Sequence, residues 1–591
     1  MNQVIKWHEE EVIKRGHLPW VFDDEMWSYL IADVEVGQQS MEAYHKFSLE
    51  IHEKIWVNNE SMRGLHVSPL GKGTSPGWAL QLYQTWFLPA NIATLKNAEA
   101  KFIRESLRGG RTDKRCNYIE LTPQAKAEGC KIMYYDFKSL YPSVQKCDIH
   151  GTHFPVGPPQ WARGYEGITN NQQLIDYMGD KTGFLRIDTI PLKYVTHPTL
   201  HRVGSRWDDG NGVKLLFENR PHEAETYGWP EILEAIESGE VQVTRVYEGV
   251  LFDKGTDTFN AYVDQFFAIK DEAEERVVDG VLIKENQGMR SLAKLLLNSL
   301  WGKLGQRSYS TREWVSDTVR LDDILEKLEN KEYKLVGMVE KMGKMVYMVY
   351  DKPEDLPNLT NTAHHVAAFV SMWGRVILHR KLLRQHGMRA LYCDTDSAIV
   401  YLRPNDAMPW TGDKIGDLTN EVKKLAPKHY KNPYIQQSVF LAPKSYGMRI
   451  NADDLSHSYD KITLKGFVPS YANSKVIHYR VFKNLVFTQY RLNSLLNNKR
   501  PFEHDEHINF SRQWKAYGKE SLAFKSSIAT GLGTNLRPVE ARVSRTTSAK
   551  YDKGEEHIRD RRFIQPYCSL DIIPPEGTFF DKVDGEYVDY E

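Results

Sequence analysis

Two aspartates one residue apart, Asp394 and Asp396, sit between two apolar runs in MRALYCDTDSAIVYL at 388–402. Apolar runs flanking a short polar tip read as a β-hairpin, and the simplest geometry places both carboxylates at its turn. A third acid, Asp136, ends the apolar run KIMYYDF at 131–137 and is followed by a Ser-Leu-Tyr-Pro turn. One carboxylate at a strand end beside a hairpin bearing two makes a cage for hard divalent cations. Magnesium keeps several waters and takes one or two carboxylates together with substrate phosphates. Two such ions about 3.5–4 Å apart would clamp the attacking and leaving oxygens of an in-line phosphoryl displacement. The plainer alternative is an acidic turn and a strand-end cap, because Asp hydrogen-bonds its own backbone in turns.

A second group of residues suits a polyanion. NQGMRSLAKLLLNSLWGKLG at 286–305 has helical periodicity and puts Lys294 and Asn298 on one face, with Leu292, Leu295 and Leu296 turned largely away. Residues 257–278 form a preceding amphipathic segment that carries Lys270, and a short DGVLIKE connection makes the two a helical hairpin. Two ammonium groups and an amide on one cleft suit a triphosphate; solvated helix faces are the plain alternative.

The elements that must position these residues belong to a chain of 591 residues, 41% apolar, 12% aromatic and 26% charged. That composition excludes collagen-like, disordered and disulfide-scaffold classes, and the length predicts about three to five domains. Lys and Arg number 77 against 78 acids, a net charge of −1, without the excess basicity of many nucleic-acid binders. The charge is unevenly spread. Residues 101–115 hold six Lys or Arg against two acids, and residues 422–449 hold six against none. Five cysteines, Cys116, Cys130, Cys147, Cys393 and Cys568, include no Cys-x-x-Cys pair, so reduced thiols are expected. No signal-peptide core or membrane-length apolar run is read, which predicts a cytoplasmic protein with no membrane partner.

YCDTDS at 392–397 resembles motif C of family B DNA polymerases, DFKSLYPS at 136–143 their motif A, and KLLLNSLWG at 294–302 their motif B. PKSYG at 443–447 resembles the lysine-x-tyrosine motif that follows C, and all four stand in the family's order. SLRGGRTD at 106–113 is similar to the Tyr-x-Gly-Gly segment ahead of motif A, and KGF at 465–467 extends the likeness. The resemblance implies an α/β (α+β) right-hand polymerase fold: antiparallel palm, helical-hairpin fingers and C-terminal thumb. It implies Asp136 and Asp396 as principal ligands of two Mg2+ ions, with Mn2+ as a substitute, the Phe137 carbonyl assisting and Asp394 as a supporting carboxylate. Lys294 and Lys270 would contact phosphates of the incoming deoxynucleotide, with Asn298 and Leu140 at its pocket. The Tyr141 ring would exclude a 2′-hydroxyl. Lys444 and Tyr446 would hold the primer terminus, Lys465 would join them on DNA, and Arg108, Gly109 and Gly110 would meet the template strand. Two departures stand out: Trp301 replaces the family's motif B tyrosine, and Leu107 occupies the tyrosine position ahead of the glycines.

The implied organisation is a residual exonuclease-domain segment and N-terminal region at 1–115, palm at 116–157, an insertion at 158–256, and fingers at 257–307. A second insertion follows at 308–358, then palm at 359–466 and thumb at 467–591. The first insertion resembles a terminal-protein region, as in protein-primed phage and linear-plasmid polymerases. Tyr29 and Asp33 resemble the third motif of a 3′–5′ exonuclease, while the first two motifs are not found; Asp33 and Glu35 also form an Asp-x-Glu on the same segment. One carboxylate segment cannot assemble a two-metal exonuclease. The reading is therefore the C-terminal part of a polymerase split within its exonuclease domain, alongside a degenerate remnant as the alternative. The expected reaction is template-directed addition of deoxynucleotides to a primer 3′-hydroxyl, in phage or plasmid replication. Implied partners are primer-template DNA, deoxynucleoside triphosphates, a separate exonuclease polypeptide and a terminal protein primer. The rival readings are an RNA-synthesising palm polymerase, which Tyr141 argues against, and a catalytically silent DNA-binding scaffold.

Overall fold

The computed structural model describes residues 24–58, 60, 63–72, 74–163, 165, 167–203, 215–278, 281–306, 311–315, 321–329, 333–341, 344–351, 362–442, 444–452, 458–464, 479–480, 482–483, 508–513 and 542–547. Lys465, Cys568 and most of the expected thumb lie outside them. Contacts divide the chain into two units, Met1–Pro69 with Tyr309–Leu356 and Asn509–Thr546, and Leu70–Ser308 with Pro357–Ile508 and Thr547–Glu591. The expected segment 1–115 is thus divided near residue 69, and the second expected insertion groups with its N-terminal part.

The first unit contains α1 (Asp24–Asn58) and a three-stranded antiparallel sheet in which Lys344–Asp351 lies between Thr311–Val315 and Tyr333–Lys341. Towards the end of α1, buried His52 bonds the Ser48 carbonyl at 2.7 Å through Nδ1 and accepts the Val67 N–H at 3.0 Å through Nε2. These two bonds fix the ring's tautomer and dock the irregular 65–68 segment on the helix.

Two antiparallel sheets of the second unit position the candidate site. The first is formed by β1 (Thr112–Lys114), β3 (Lys131–Phe137), β8 (Ala390–Asp394), β9 (Ser397–Leu402) and β10 (Leu418–Asn420), in the order β1-β8-β9-β3-β10. Every residue of β9 is buried, which is what a continuous apolar run at the centre of a sheet requires. The second sheet contains β2 (Tyr118–Glu120), β11 (Tyr434–Ala442), β12 (Ser445–Asn451) and β13 (Tyr459–Leu464). Ile132, Leu391 and Ile399 of the first sheet share one apolar cluster with Ile435, Phe440, Met448 and Ile450 of the second, so the sheets are held face to face by area removed from water.

The residues expected as the first insertion form a compact body whose first strand begins at Phe154. β4 (Phe154–Arg163), β5 (Thr182–Pro191), β6 (His222–Gly228) and β7 (Val241–Gly255) pair in the order β4-β7-β5-β6. Helix α5 (Trp229–Glu237) adds Trp229, Ile232 and Ala235 to the cluster that also holds Leu185, Ile187, Val243 and Val246. Helix α8 (His364–Leu378) is buried along its whole length, mostly apolar but carrying Arg375, which is buried with a hydrogen-bonded partner.

The helical pair is α6 (Asn260–Glu272) and α7 (Gln287–Leu304). The first helix is shorter than the 257–278 expected. Arg276–Val278 and Val281–Ile283 instead pair as antiparallel strands, Val278 opposite Val281, because β-branched residues lose side-chain freedom in a helix. Asn286 caps α7 by accepting the Met289 N–H at 3.1 Å. Its buried face is Met289, Leu292, Ala293, Leu296, Leu297, Leu300 and Leu304. Leu295 is 43% exposed. It lies beside Lys294 on the open face, a correction to its expected inward placement, since consecutive helical residues are about 100° apart.

Among the described residues no helix is long and apolar enough to cross a membrane. Cys116, Cys130, Cys147 and Cys393 are buried free thiols.

Candidate active site

The β8–β9 hairpin pairs Asp394 with Ser397, leaving Thr395 and Asp396 as its turn. Two-residue hairpin turns need a positive φ at their first central residue, and Thr395 takes φ 63. A β-branched residue in that region is strained, and its neighbours hold it there. Its N–H donates to the Arg111 carbonyl at 2.7 Å, and its hydroxyl to Asp394 Oδ1 at 3.1 Å. On β9's other side Ser397 stands opposite Asp136, and the Phe137 N–H donates to the Asp396 carbonyl at 2.8 Å. Sheet register therefore brings Asp136 of β3 against the Asp396 turn.

The two aspartates share an environment that opposes ionisation. Burial, then the Asp396 and Glu421 carboxylates, raise Asp136 to about 7, against the pull of Lys424 and Lys294. Burial and Asp394 raise Asp396 to about 6, opposed by its own backbone N–H and by Lys444. Neither forms an ion pair with a Lys or Arg among the described residues, whereas Asp394 Oδ1 is 2.9 Å from Lys444 Nζ and accepts from the Thr112 hydroxyl at 3.3 Å. Asp394 is thus occupied within the protein, and Asp136 and Asp396 are the pair left to seek an external cation.

Raised carboxyl pKa values mean that the folded, metal-free chain binds more protons than the unfolded chain between about pH 4 and pH 7. Its stability therefore falls as pH rises through that window, and the loss is complete above it. Asp136→Asn is accordingly expected to melt higher than the unsubstituted chain at pH 8 without metal, with the gain shrinking towards pH 4. Thermal melts at both pH values check this, and a lower melting temperature at pH 8 contradicts it.

Around the pair, the Tyr141 ring lies 4.7 Å from Trp301, tilted 45°. Burial lifts its hydroxyl to about 12, with Asp396 and Asp394 pushing further and Arg375 opposing. Tyr141 and buried Leu140 follow Ser139, held at φ 60. Lys294 and Asn298 are exposed on α7. Lys270 is 5% exposed, its pKa lowered by burial, and its ammonium lies 4.7 Å from the Phe267 ring. Lys138 and Arg290 are among the charges acting on it. Lys444, at φ 60, donates its N–H to the Tyr392 hydroxyl at 2.9 Å, and Tyr446 is buried 3.4 Å, hydroxyl to hydroxyl, from Tyr134.

The glycine segment differs from expectation. Gly109 is open, and at Gly110 a Cβ would come 2.7 Å from Thr395 Cγ2 and 3.0 Å from the Tyr141 hydroxyl. Arg108, expected on the template, instead points inward. Its guanidinium donates to Glu225 at 2.8 Å and to the His201 carbonyl at 3.2 Å. Arg111, Lys114 and Arg115 are buried too, so most of the basic character of 101–115 is spent on internal partners, while Lys101 stays exposed. By contrast Lys423, Lys424, Lys428, Lys431 and Lys444 are exposed.

Tyr29 and Asp33 stand exposed on α1. Among the described residues no three His, Cys, Asp or Glu side chains converge into a ready-made ion site.

The sequence reading missed Glu421. It sits just past β10, where Thr419 opposes Asp136 and donates to Glu421 at 2.7 Å. A three-residue strand carries no periodicity to reveal it. Tyr392, which supports Lys444 through its hydroxyl, lay within the motif but was assigned no role.

The family model for DNA polymerase type B, organellar and viral, matches residues 1–376. The chain belongs to this family. Similar curated relatives of this type B polymerase are the DNA-directed DNA polymerase of Enterobacteria phage PRD1, 26% identical over 45% of this chain and 39% of that protein, and the DNA polymerase of Bovine adenovirus 2, 23% identical over 59% and 41%. The chain thus spans about two-fifths of the length of these relatives, at 39% and 41%. A solved structure of Phi29 DNA polymerase with primer-template DNA and incoming nucleotide superposes with TM-score 0.45 and 16% identity, covering 81% of this type B polymerase and 68% of that chain.

Proposed function

We propose that the chain is a template-directed DNA polymerase that adds deoxynucleotides to a primer 3′-hydroxyl. The observation that carries this reading is the register placing Asp136 against the Asp396 turn, two carboxylates with raised pKa values and no ion pair to a Lys or Arg among the described residues. Two carboxylates brought together by sheet register, with substrate phosphates and water to complete the coordination, fit magnesium, with manganese as a substitute. When bound, divalent ions would lower the pKa of the primer hydroxyl and offset the leaving pyrophosphate's charge.

The remaining steps fall to the chain's own side chains. Asp136 and Asp396 would hold the ions, assisted by the Phe137 carbonyl; Asp394 secures Lys444 and the hairpin tip. Lys294 and Lys270 neutralise the triphosphate, while Asn298 and Leu140 shape its pocket. Tyr141 closes off the sugar's 2′ position, braced by Trp301. Lys444 and Tyr446 position the primer backbone, and the exposed lysines between 423 and 431 favour phosphate along that path. Gly109 and Gly110 let the template backbone come close.

The finer partners belong to the same proposal: a separate polypeptide completing an exonuclease beside exposed Tyr29 and Asp33, and a terminal protein as primer. Primer extension with magnesium on a DNA primer-template, with and without co-expressed neighbouring gene products, tests the set. Extension by the chain is the expected result. Its failure in every combination contradicts the reading, and metal-dependent degradation of single strands by the chain alone contradicts a separate exonuclease.

A further inference from the structure

The 154–255 body touches the glycine segment at a series of ionic and hydrogen-bonded points. Glu105, just ahead of the segment, accepts from Arg186 at 2.7 Å and from Thr226 at 2.8 Å. Arg108 reaches Glu225 at 2.8 Å, and Arg111 donates to the Pro198 carbonyl at 2.6 Å while lying over the Phe217 ring at 3.9 Å. The deepest link runs through α8. Arg375 Nη1 donates to the Arg108 and Gly109 carbonyls at 2.9 and 2.6 Å, and its Nε donates to Glu231 of α5 at 2.7 Å. The Arg375 and Glu231 side chains are 3% and 2% exposed.

The geometry is tight on the opposite side as well. Gly110 abuts Thr395 and the Tyr141 hydroxyl, and a Cβ on Gly374, next to Arg375, would lie 3.1 Å from the Tyr141 ring. The glycine loop is therefore gripped between the 154–255 body and the residue that reads the sugar. The loop has local ties, Arg108 to the Glu105 carbonyl and Arg111 to Asp113, each at 2.9 Å, but the contacts that grip it from the 154–255 body and from Arg375 come from 81 to 267 positions away in sequence.

We propose that the 154–255 body is a positioning clamp for the glycine loop, and that Glu231, acting through Arg375, is the positioning residue that sets Gly109 and Gly110 against Tyr141. Arg375 meets the two loop carbonyls with one nitrogen only if its guanidinium keeps its orientation, and Glu231 fixes that orientation through Nε. A buried charge whose partner is removed is left uncompensated and moves to find another. Loss of the Glu231 charge would therefore release the loop and loosen sugar selection, a shift of the kind that small misplacements produce. This inference rests on the polymerase reading for its sugar-selection consequence and not for its effect on the loop.

The test compares Glu231→Gln with Ile232→Val, which trims the buried core of the same helix without touching the loop. On the DNA-free chain, amide hydrogen exchange across residues 106–111 is expected to quicken about ten-fold in Glu231→Gln and to stay unchanged in Ile232→Val. In primer extension, the ratio of ribonucleotide to deoxynucleotide use is expected to rise about ten-fold in Glu231→Gln alone. Equal effects of the two variants on either readout, or unchanged exchange in a folded Glu231→Gln, overturn the clamp. Should Glu231→Gln fail to fold, Glu225→Gln, whose carboxylate is 23% exposed and holds Arg108 of the same loop, tests the clamp by the same two readouts, and unchanged exchange in it overturns the clamp. Because exchange is read without DNA or nucleotide, a chain that extends no primer refutes the polymerase reading and leaves the clamp to be decided by exchange alone.

Discussion

Asp396→Asn is expected to reduce primer extension by about 10³-fold or more while leaving primer-template affinity within about three-fold, since a metal clamp contributes several kcal/mol only at the reacting phosphate. The substitution is nearly isosteric, so the turn should survive. The backbone bonds that hold it are the Phe137 N–H to the Asp396 carbonyl and the Thr395 N–H to the Arg111 carbonyl, and neither uses the carboxylate. What changes is the charge. Asp396 lies in a largely buried setting whose like charges already resist ionisation, so an amide there would remove a proposed metal ligand and leave Asp136 to ionise alone. Single-turnover extension beside a filter-binding or anisotropy titration separates the two effects. Near-normal extension by Asp396→Asn would remove the residue from the reacting centre. A parallel loss of DNA affinity would make its role structural.

Tyr141→Val is expected to raise ribonucleotide incorporation relative to deoxynucleotide by about 10²-fold, the scale on which pocket shape discriminates between close substrates. The ring is fixed from several sides. Trp301 lies 4.7 Å away, and Gly374 and Gly110 approach so closely that a methyl group on either would press on it. A side chain so confined excludes by bulk, because it cannot swing aside for an extra hydroxyl. Trp301 in place of the family's tyrosine keeps an aromatic wall beside it. Steady-state kinetics with paired ribo- and deoxynucleotides check the ratio, and an unchanged ratio with unchanged deoxynucleotide use would remove Tyr141 from sugar selection.

Much of this site is legible in the sequence because its geometry is local. The β8–β9 hairpin announces itself through two apolar runs around the polar tip Asp394, Thr395 and Asp396, and Lys294 and Asn298 share a face because helical spacing leaves no other outcome. What the sequence could not show depends on partners far along the chain. The six cations of 101–115 read as a DNA-facing patch, yet Arg108 and Arg111 find their partners at Glu225 and Pro198, about a hundred residues on. No local pattern distinguishes a cation facing solvent from one paired across a fold. Glu421 was invisible for a different reason, since three residues of strand are too few to show alternation. The 257–278 helix was read too long because amphipathic spacing continued past Glu272 into residues that pair as strands.

The 154–255 body also changes meaning between sequence and structure. As sequence it is strand-like runs without chemistry. In the structure its acids Glu225 and Glu231 hold Arg108 and Arg375 at the loop that flanks Tyr141, and the proposed clamp would make sugar selection depend on ion pairs that touch no nucleotide.

The central claim is that Asp136 and Asp396 together form the cation site of a nucleotidyl-transfer centre. The most direct measurement is manganese binding by electron paramagnetic resonance on the chain with primer-template DNA and a non-hydrolysable deoxynucleotide analogue. It would be repeated on Asp136→Asn and Asp396→Asn. The account predicts manganese bound by the unsubstituted chain with affinity that rises as pH climbs through the range from about 6 to about 7, where these carboxyls lose their protons, and lost in both variants. Equal manganese binding by all three proteins would contradict it.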